Sequence, residues 1–358
     1  MAAAVACLPF SLTEGPTAPW RRRAAQSQRS GRTEWTGIGR AGGRRRRGGN
    51  LGCDRRRTSP ASSFPLESST ATSVQRKLGD FEGRKEQDDL RRFRAICTIS
   101  MKGCDGSVLL DDTATMIGEK QADQNVNSLK GFEVVDKIKA KLEAECPGTV
   151  SCADLLAIAA RDAVVLVGGP YWDVPVGRLD SKEASLDLAN KDIPTAEQGL
   201  VTLISKFWEK GLDATDMVAL VGSHTIGFAR CANFRDRIYG DFEMTSKYNP
   251  ASATYLSKLK EICPLDGGDD NISAMDSHTS ATFDNAYFET LIKGEGLLNS
   301  DQEMWSSIAG YSTADTVNKY WADPELFFKQ FSDSMVKMGN ITNPAGGEVR
   351  KTCRFVNT

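Results

Sequence analysis

The sequence predicts an all-α fold. Several stretches repeat apolar residues at the three- and four-residue spacing that lets a helix bury one face. Many of these stretches begin after residues that cap helices, and they end at glycine or proline, which stop helices. Long alternations of apolar and polar residues, which are typical of half-buried strands, do not occur.

Two helices are predicted in the first part of this pattern. Apolar residues recur at helical spacing from Phe132 to Leu142, and Cys146-Pro147-Gly148 ends that helix. A second helix is predicted over residues 151–167, with Gly168-Gly169-Pro170 as its stop. Both helices carry apolar residues on one face, so we expect them to pack against the core.

A third helix is predicted behind a capping box formed by Thr195 and Gln198, in which each side chain bonds the other residue's backbone. Gly211 is expected to end it. One apolar stripe runs along this helix: Leu200, Leu203, Ile204, Phe207 and Trp208.

Three further helices complete the prediction. A central apolar helix starts behind the capping candidate Thr215 and ends at Gly222-Ser223, directly before His224. A short helix is expected over residues 285–293. The last helix has Asp323-Pro324 at its start and Gly339 at its end, and its aromatic stripe is more typical of a core than of a cofactor site.

Residues 1–102 lack this pattern. They are rich in arginine, glycine and serine and carry 21 basic and 9 acidic side chains, whereas residues 103–358 carry 24 and 38. Such a segment buries too little apolar surface to offset its ordering entropy. We therefore predict that residues 1–102 are a low-complexity, arginine-rich segment, either disordered or mis-joined, and that a folded domain covers residues 103–358. The arginine runs of residues 1–102 leave a nucleic-acid binder as an alternative. The acidic domain of residues 103–358 gives no reason to expect a nucleic-acid partner.

Cysteine usage and hydropathy bear on the compartment. Six of the nine cysteines lie in residues 103–358, without paired C-x-x-C spacing and with only two histidines in the chain. This argues against zinc and favours disulfides formed in an oxidising compartment. Asn271-Ile-Ser and Asn340-Ile-Thr are glycosylation sequons, which agree with a secreted glycoprotein. No apolar run approaches the roughly 18 residues of a membrane span, and the first residues lack the basic start of a secretory signal.

Two polar stretches are candidates for chemistry. His224 follows a buried helix, where it could ligate a metal or haem iron or remain a hydrogen-bonded core residue. Residues 276–284 alternate carboxylates with hydroxyls, which suits calcium but also an ordinary polar loop. The residues alone leave both questions open.

The chain from Gly103 to Asn357 resembles the secreted haem peroxidases of plants, called class III. The resemblance rests on seven motifs in the family's order and spacing: G-C-D-G-S-V-L-L-D-D, C-P-G-T-V-S-C-A-D, A-R-D-A-V-V-L-x-G-G-P, D-I-P-T, V-A-L-V-G-S-H-T-I-G, F-D-N-A-Y-F and S-D-Q-E. It implies a two-lobed all-α fold with haem b between the lobes, two calcium ions, and a secreted monomer. It also implies a peroxidase that reduces hydrogen peroxide and oxidises small phenolic donors.

Residue roles follow from the resemblance. His224 matches the axial ligand of the haem iron, and Asp301 matches the carboxylate that accepts that histidine's other N–H. Asn125 matches the residue that orients the distal histidine, and Pro194 matches a position at the donor-substrate edge. The calcium ligands implied are Thr225, Asp276, Thr279, Thr282 and Asp284 on the proximal side and Gly103, Asp105, Ser107 and Glu119 on the distal side. The implied disulfides are Cys152–Cys353 and Cys231–Cys263.

The resemblance fails before Gly103. The family carries R-L-x-F-H-D-C-F-V-x there, with a histidine and an arginine that act on peroxide. In ungapped alignment Cys97 stands at the histidine position and Phe93 at the arginine position, and no histidine precedes His224. We therefore expect missing or altered N-terminal helices, an incomplete distal calcium site and impaired activity, with a non-catalytic haem- and calcium-binding secreted glycoprotein as the alternative. The pairing of the remaining cysteines stays open: Cys7, Cys53, Cys97, Cys104 and Cys146.

Overall fold

The computed structural model describes residues 103–240, 242, 250–307, 313–341 and 346–358. Residues 1–102 lie outside this part of the chain, so the predictions for that segment, including those at Phe93 and Cys97, stay predictions. Among the described residues, no helix is long and apolar enough to span a bilayer.

Helices dominate the described residues, which confirms the all-α prediction. Two three-residue strands, β1 (Phe228–Arg230) and β2 (Ile272–Ala274), pair antiparallel with Phe228 opposite Ala274. The helices are α1 (Phe132–Glu145), α2 (Cys152–Leu166), α3 (Leu186–Asp192), α4 (Leu200–Glu209), α5 (Ala214–Val221), α6 (Arg235–Ile238), α7 (Pro250–Ile262), α8 (Ala286–Ile292), α9 (Asn299–Ser306), α10 (Thr313–Ala322) and α11 (Pro324–Gly339). One-turn 3₁₀ helices lie at Ser107–Leu109, Glu119–Gln121, Gly222–Thr225 and Cys231–Asn233.

Side-chain caps fix the starts of two predicted helices. The Ser151 hydroxyl accepts a hydrogen bond from the Asp154 N–H at 3.0 Å at the start of α2. Asp323 accepts one from the Leu326 N–H, also at 3.0 Å, before Pro324 opens α11. Each bond satisfies an N–H that the first helical turn leaves without a partner. The predicted starts of these two helices are therefore confirmed.

The predicted capping box at Thr195 is wrong. α4 begins only at Leu200, with Gly199 as its N-cap, although the Gln198 side chain does accept from the Thr195 N–H at 3.3 Å. The carbonyl of Ala196 in this turn accepts instead from the N–H of Ser300, in the first turn of α9. The turn thus satisfies the start of a distant helix rather than continuing as one.

Two further details differ from the prediction. α5 is capped by Asp213, which forms a capping box with Asp216, so Thr215 is already inside the helix. Trp208 is 71% exposed, because α4 turns its inner face through Leu203 and Phe207 and leaves this ring outside. The apolar stripe of α4 is therefore narrower than the sequence suggested.

α5 lies at the centre of the core. Met217, Val218 and Leu220 are fully buried, and the helix packs against α4, α10 and α11. An aromatic cluster covers the C-terminal end of α5, with Phe288 and Phe327 in edge-to-face contact at 4.9 Å between ring centroids. This packing places the residues that follow α5 deep inside the protein.

The two disulfides implied by the resemblance are present. Cys152–Cys353 joins the start of α2 to the C-terminal segment with a Cα–Cα distance of 5.7 Å. Cys231–Cys263 joins the residue after β1 to the residue after α7 with a Cα–Cα distance of 5.5 Å. Cys146 is also disulfide-bonded.

Candidate active site

His224 lies on the 3₁₀ turn Gly222–Thr225, which continues α5 without a break. The turn runs so close to the aromatic cluster that a Cβ at Gly222 would lie 2.5 Å from the Phe327 ring. A glycine is required at this position because any side chain would collide with that ring. The close approach holds the backbone from which His224 projects.

The two nitrogens of His224 have different surroundings. Nδ1 lies 3.1 and 3.2 Å from the two carboxylate oxygens of Asp301, in the first turn of α9. Nε2 is buried and has no hydrogen-bond partner. An ionised carboxylate only accepts hydrogen bonds, so Nδ1 carries the proton and Nε2 presents its lone pair.

This arrangement fits the axial ligand of a haem iron. A histidine that served only the core would be expected to satisfy both nitrogens, because a buried polar atom without a partner costs free energy. Iron ligation by Nε2 would remove that cost, and the bond from Nδ1 to Asp301 would set the tautomer and increase the ligand's basicity. His224 and Asp301 therefore fit the roles of axial ligand and hydrogen-bond partner that a bound haem would need.

Tyr287 borders the same pair, although sequence reasoning assigned it no role. Its ring contacts the imidazole of His224 edge to face, with centroids 6.0 Å apart and an interplanar angle of 89°. Burial, followed by the negative charge of Asp301, raises the pKa of Tyr287 well above its ordinary value. The phenol thus stays protonated, and its only sequence signal was its place in the F-D-N-A-Y-F motif.

Four predicted proximal calcium ligands converge beside His224. The Thr225 hydroxyl lies 3.4 Å from Asp276 Oδ2 and 3.1 Å from Asp284 Oδ1. The Thr279 hydroxyl lies 3.0 Å from each of the same two oxygens. Asp276 is fully buried and Asp284 half-buried, so two carboxylates share a small volume with two hydroxyls.

These oxygens fit a hard cation. Calcium binds carboxylate, hydroxyl and carbonyl oxygens, and two close carboxylates repel each other unless a cation lies between them. Thr282 differs from the other four, because its side chain is exposed and its N–H donates to the Thr279 carbonyl at 2.9 Å. Among the described residues, no group of three or more His, Cys, Asp or Glu side chains could hold a metal, so the site would depend on hydroxyl and carbonyl oxygens.

The predicted distal residues lie close together near the start of the domain. The Asp105 N–H donates to the Gly103 carbonyl at 3.0 Å, and Asp105 Oδ1 accepts from the Ser107 N–H at 3.1 Å. Asp105, Ser107 and Glu119 are each buried, with at most 2% of the residue exposed. Arg350 is a buried neighbour that the sequence did not reveal: burial lowers the pKa of its guanidinium, and the charges of Asp180, Asp105, Glu348 and Glu119 oppose that shift.

Asn125 contacts the predicted distal residues, and Pro194 lines a cavity with the neighbours of Asn125. The Asn125 amide donates to the Glu119 carbonyl at 2.8 Å, which connects it to the 3₁₀ helix Glu119–Gln121. Pro194 lines a cavity of about 350 Å³ together with Phe228, Met275 and Arg230. His278, the second histidine, is exposed beside Asp276 in the loop of residues 276–284, here called the proximal loop. Within the described part, no second imidazole therefore faces His224.

Comparison with known proteins agrees with these features. The peroxidase family profile matches residues 83–323, beginning 20 residues before Gly103. Peroxidase 11 of Arabidopsis thaliana is 61% identical over 263 residues, which cover 72% of this chain and 78% of the relative. Peroxidase 49 of the same plant is 46% identical over 300 residues (83% and 89%), and peroxidase 4 of Vitis vinifera is 46% identical over 292 residues (80% and 85%).

The family match, these identities and the helical fold agree with one another. This chain belongs to the plant secretory peroxidase family, the haem-dependent oxidoreductases that act on hydrogen peroxide.

Proposed function

We propose that this chain binds haem b through His224 and oxidises small phenolic donors in one-electron steps at the expense of hydrogen peroxide. The observation that carries the proposal is the buried imidazole whose Nδ1 faces Asp301 while Nε2 has no partner. Bound haem would supply an iron that exchanges electrons with peroxide and with the donor. The protein would act as a secreted monomer.

His224 and Asp301 set the electronic character of the site. Because the Nδ1 proton is drawn toward a buried carboxylate, the imidazole becomes a stronger electron-pair donor to the iron through Nε2. A stronger donor stabilises the more oxidised iron. The pair therefore favours reaction with peroxide over reversible ligand binding.

Calcium would support this pair from two directions. Thr225 directly follows His224, and Asp284 accepts a hydrogen bond from the Ala286 N–H at 2.9 Å at the start of α8. A cation among Thr225, Asp276, Thr279, Thr282 and Asp284 would hold the backbone of the axial ligand. The distal residues Gly103, Asp105, Ser107 and Glu119 would form a second, incomplete site.

The distal side limits the rate. Asn125 is held by the Glu119 carbonyl, but the sequence offers no histidine before His224 for it to orient. Loss of a general acid–base group lowers a rate by about 10²–10⁴-fold, and loss of the arginine's electrostatic help adds to this. We therefore propose a peroxidase of low turnover.

The test is haem reconstitution followed by turnover. The full chain, refolded with haem and calcium under oxidising conditions, should show a histidine-ligated Soret spectrum and oxidise 4-ethylphenol only when hydrogen peroxide is present. Free haem at equal concentration serves as the control for non-enzymatic turnover. A chain that binds no haem would refute the proposal.

A non-catalytic haem- and calcium-binding secreted glycoprotein is the second candidate, and the missing upstream histidine favours it. Haem-loaded protein whose turnover does not exceed that of free haem would select this candidate. Peroxide-dependent turnover above that background, lost in Asp301→Asn, would select the enzyme.

A further inference from the structure

Tyr287 is a buried residue with no role in the reaction described so far. Its side chain is completely buried, and the Asp301 carboxylate, which bonds His224, also acts on its phenol. The Tyr287 ring therefore borders the His224–Asp301 pair as well as the aromatic cluster.

The ring of Tyr287 is placed against the imidazole of His224. The centroids lie 6.0 Å apart and the planes are perpendicular at 89°, the edge-to-face geometry that aromatic rings favour. A perpendicular neighbour resists rotation of the imidazole about its Cβ–Cγ bond, since rotation would drive one ring into the other. Asp301 fixes the same imidazole in a different way, through a hydrogen bond to Nδ1.

Tyr287 is itself held firmly. It lies on α8, which begins two residues after Asp284, and Asp284 accepts a hydrogen bond from the Ala286 N–H at 2.9 Å. The ring of Phe288 packs on it at 5.5 Å between centroids. The ring that faces His224 is thus positioned by the proximal loop and by the aromatic cluster together.

We propose that Tyr287 is a positioning residue that fixes the plane of the His224 imidazole for iron ligation. The inference rests on the proposed haem ligation by His224. Asp301 sets which nitrogen carries the proton, and Tyr287 sets the orientation in which the other nitrogen is presented.

The test compares three variants of the haem-loaded, calcium-saturated full chain. Tyr287→Leu removes the ring, Tyr287→Phe keeps it, and Phe288→Leu removes an adjacent buried ring of the same cluster that makes no described ring contact with His224. Two quantities are measured: the iron–histidine stretching band of the ferrous protein, and the rate of haem transfer to excess apomyoglobin.

Tyr287→Leu should shift and broaden the iron–histidine band and speed haem loss about 10-fold, the lower end for residues that support a metal ligand. Tyr287→Phe should keep the parent band, and Phe288→Leu should lower stability while also keeping it. The proposal is overturned if Tyr287→Leu keeps the parent band, or if Tyr287→Phe or Phe288→Leu changes it as Tyr287→Leu does. Absence of haem binding in the parent chain would instead refute the proposed function, so the two failures are distinguishable.

Discussion

His224 Nδ1 faces Asp301 at 3.1 Å, whereas Nε2 is buried without a partner. A lone histidine behind a buried helix left two interpretations open, and this asymmetry favours the ligand. The partner could not be predicted from spacing, because Asp301 lies 77 residues away on another helix. It was identified only through the resemblance. Tyr287 and Arg350 carried no signal strong enough to assign, since their importance depends on burial and neighbours.

We expect His224→Ala to abolish stable haem binding, because no second imidazole in the described structure is placed to replace it. Haem titration followed by the Soret band measures the effect. His278→Ala is the matched control, since the other histidine is exposed and should leave haem binding unchanged. A histidine-type Soret spectrum in His224→Ala would contradict the assignment.

We expect Asp301→Asn to keep haem bound but to raise the reduction potential of the iron, because the amide accepts the Nδ1 proton less strongly. Activity should fall about 10–100-fold, the usual effect of losing a ligand's hydrogen-bond partner. Spectroelectrochemistry measures the potential, with Asp333→Asn, an exposed carboxylate on the outer face of α11, as the control. An unchanged potential in Asp301→Asn would count against the pair.

At the scale of helices, the sequence predicted position best where an apolar stripe coincides with a start or stop signal. α1, α2 and α11 combine the two and lie where predicted, and the short helix α8 lies within the predicted residues 285–293. α9 was missed because its start depends on tertiary bonds, such as that from the Ser300 N–H to the Ala196 carbonyl at 2.9 Å. Other helices had weaker stripes or were left unassigned: α3, α6, α7 and α10.

The contact between α5 and α11 gives a prediction about pH. Burial alone would raise the pKa of Asp216, but hydrogen bonds from Lys337, the Asp213 backbone and Ser334 outweigh it and hold that pKa below its ordinary value. A depressed carboxyl pKa stabilises the fold above the unfolded-state pKa of about 4, and this stability is lost as pH falls through the folded pKa.

Asp216→Asn should therefore destabilise the protein by about 0.5–2 kcal/mol at pH 7, the range for a lost cap, and by less at pH 3. Urea unfolding with calcium at the two pH values measures both free energies. Asp333→Asn, an exposed carboxylate on α11, is the control and should change stability by less than about 0.5 kcal/mol. An equal loss at both pH values would argue against the linkage.

At the scale of the whole molecule, calcium is expected to couple the segment carrying His224 to the loop between β2 and α8. Without the ion, Asp276 and Asp284 remain close carboxylates bridged by the hydroxyls of Thr225 and Thr279. Adding calcium should raise the melting temperature of the parent protein, by mass action on the folded state. Asp284→Ala should lower the melting temperature and remove its response to calcium, and Asp266→Ala, in an exposed loop, should keep the response. A parent chain whose melting temperature ignores calcium would contradict the site.

The domain boundary that we predict at Gly103 gives the last prediction. A catalytic imidazole must lie within hydrogen-bond reach of bound peroxide, and neighbouring residues must hold it there. Asn125 offers one such contact, but the residues around Cys97 provide neither the family's arginine nor its aspartate at the expected positions. Joining a segment that ends in R-x-x-x-H-D-C-F-V-x directly to Gly103 should therefore raise turnover by about 10²–10⁴-fold.

The matched change Cys97→His alone should leave turnover near that of the parent, because one imidazole without its supporting helix is not oriented toward the substrate. Steady-state oxidation of 4-ethylphenol by the haem-loaded proteins compares the two. If Cys97→His alone raised turnover by orders of magnitude, the residues before Gly103 would have to support a distal histidine already. The interpretation of residues 1–102 as foreign to the domain would then be wrong.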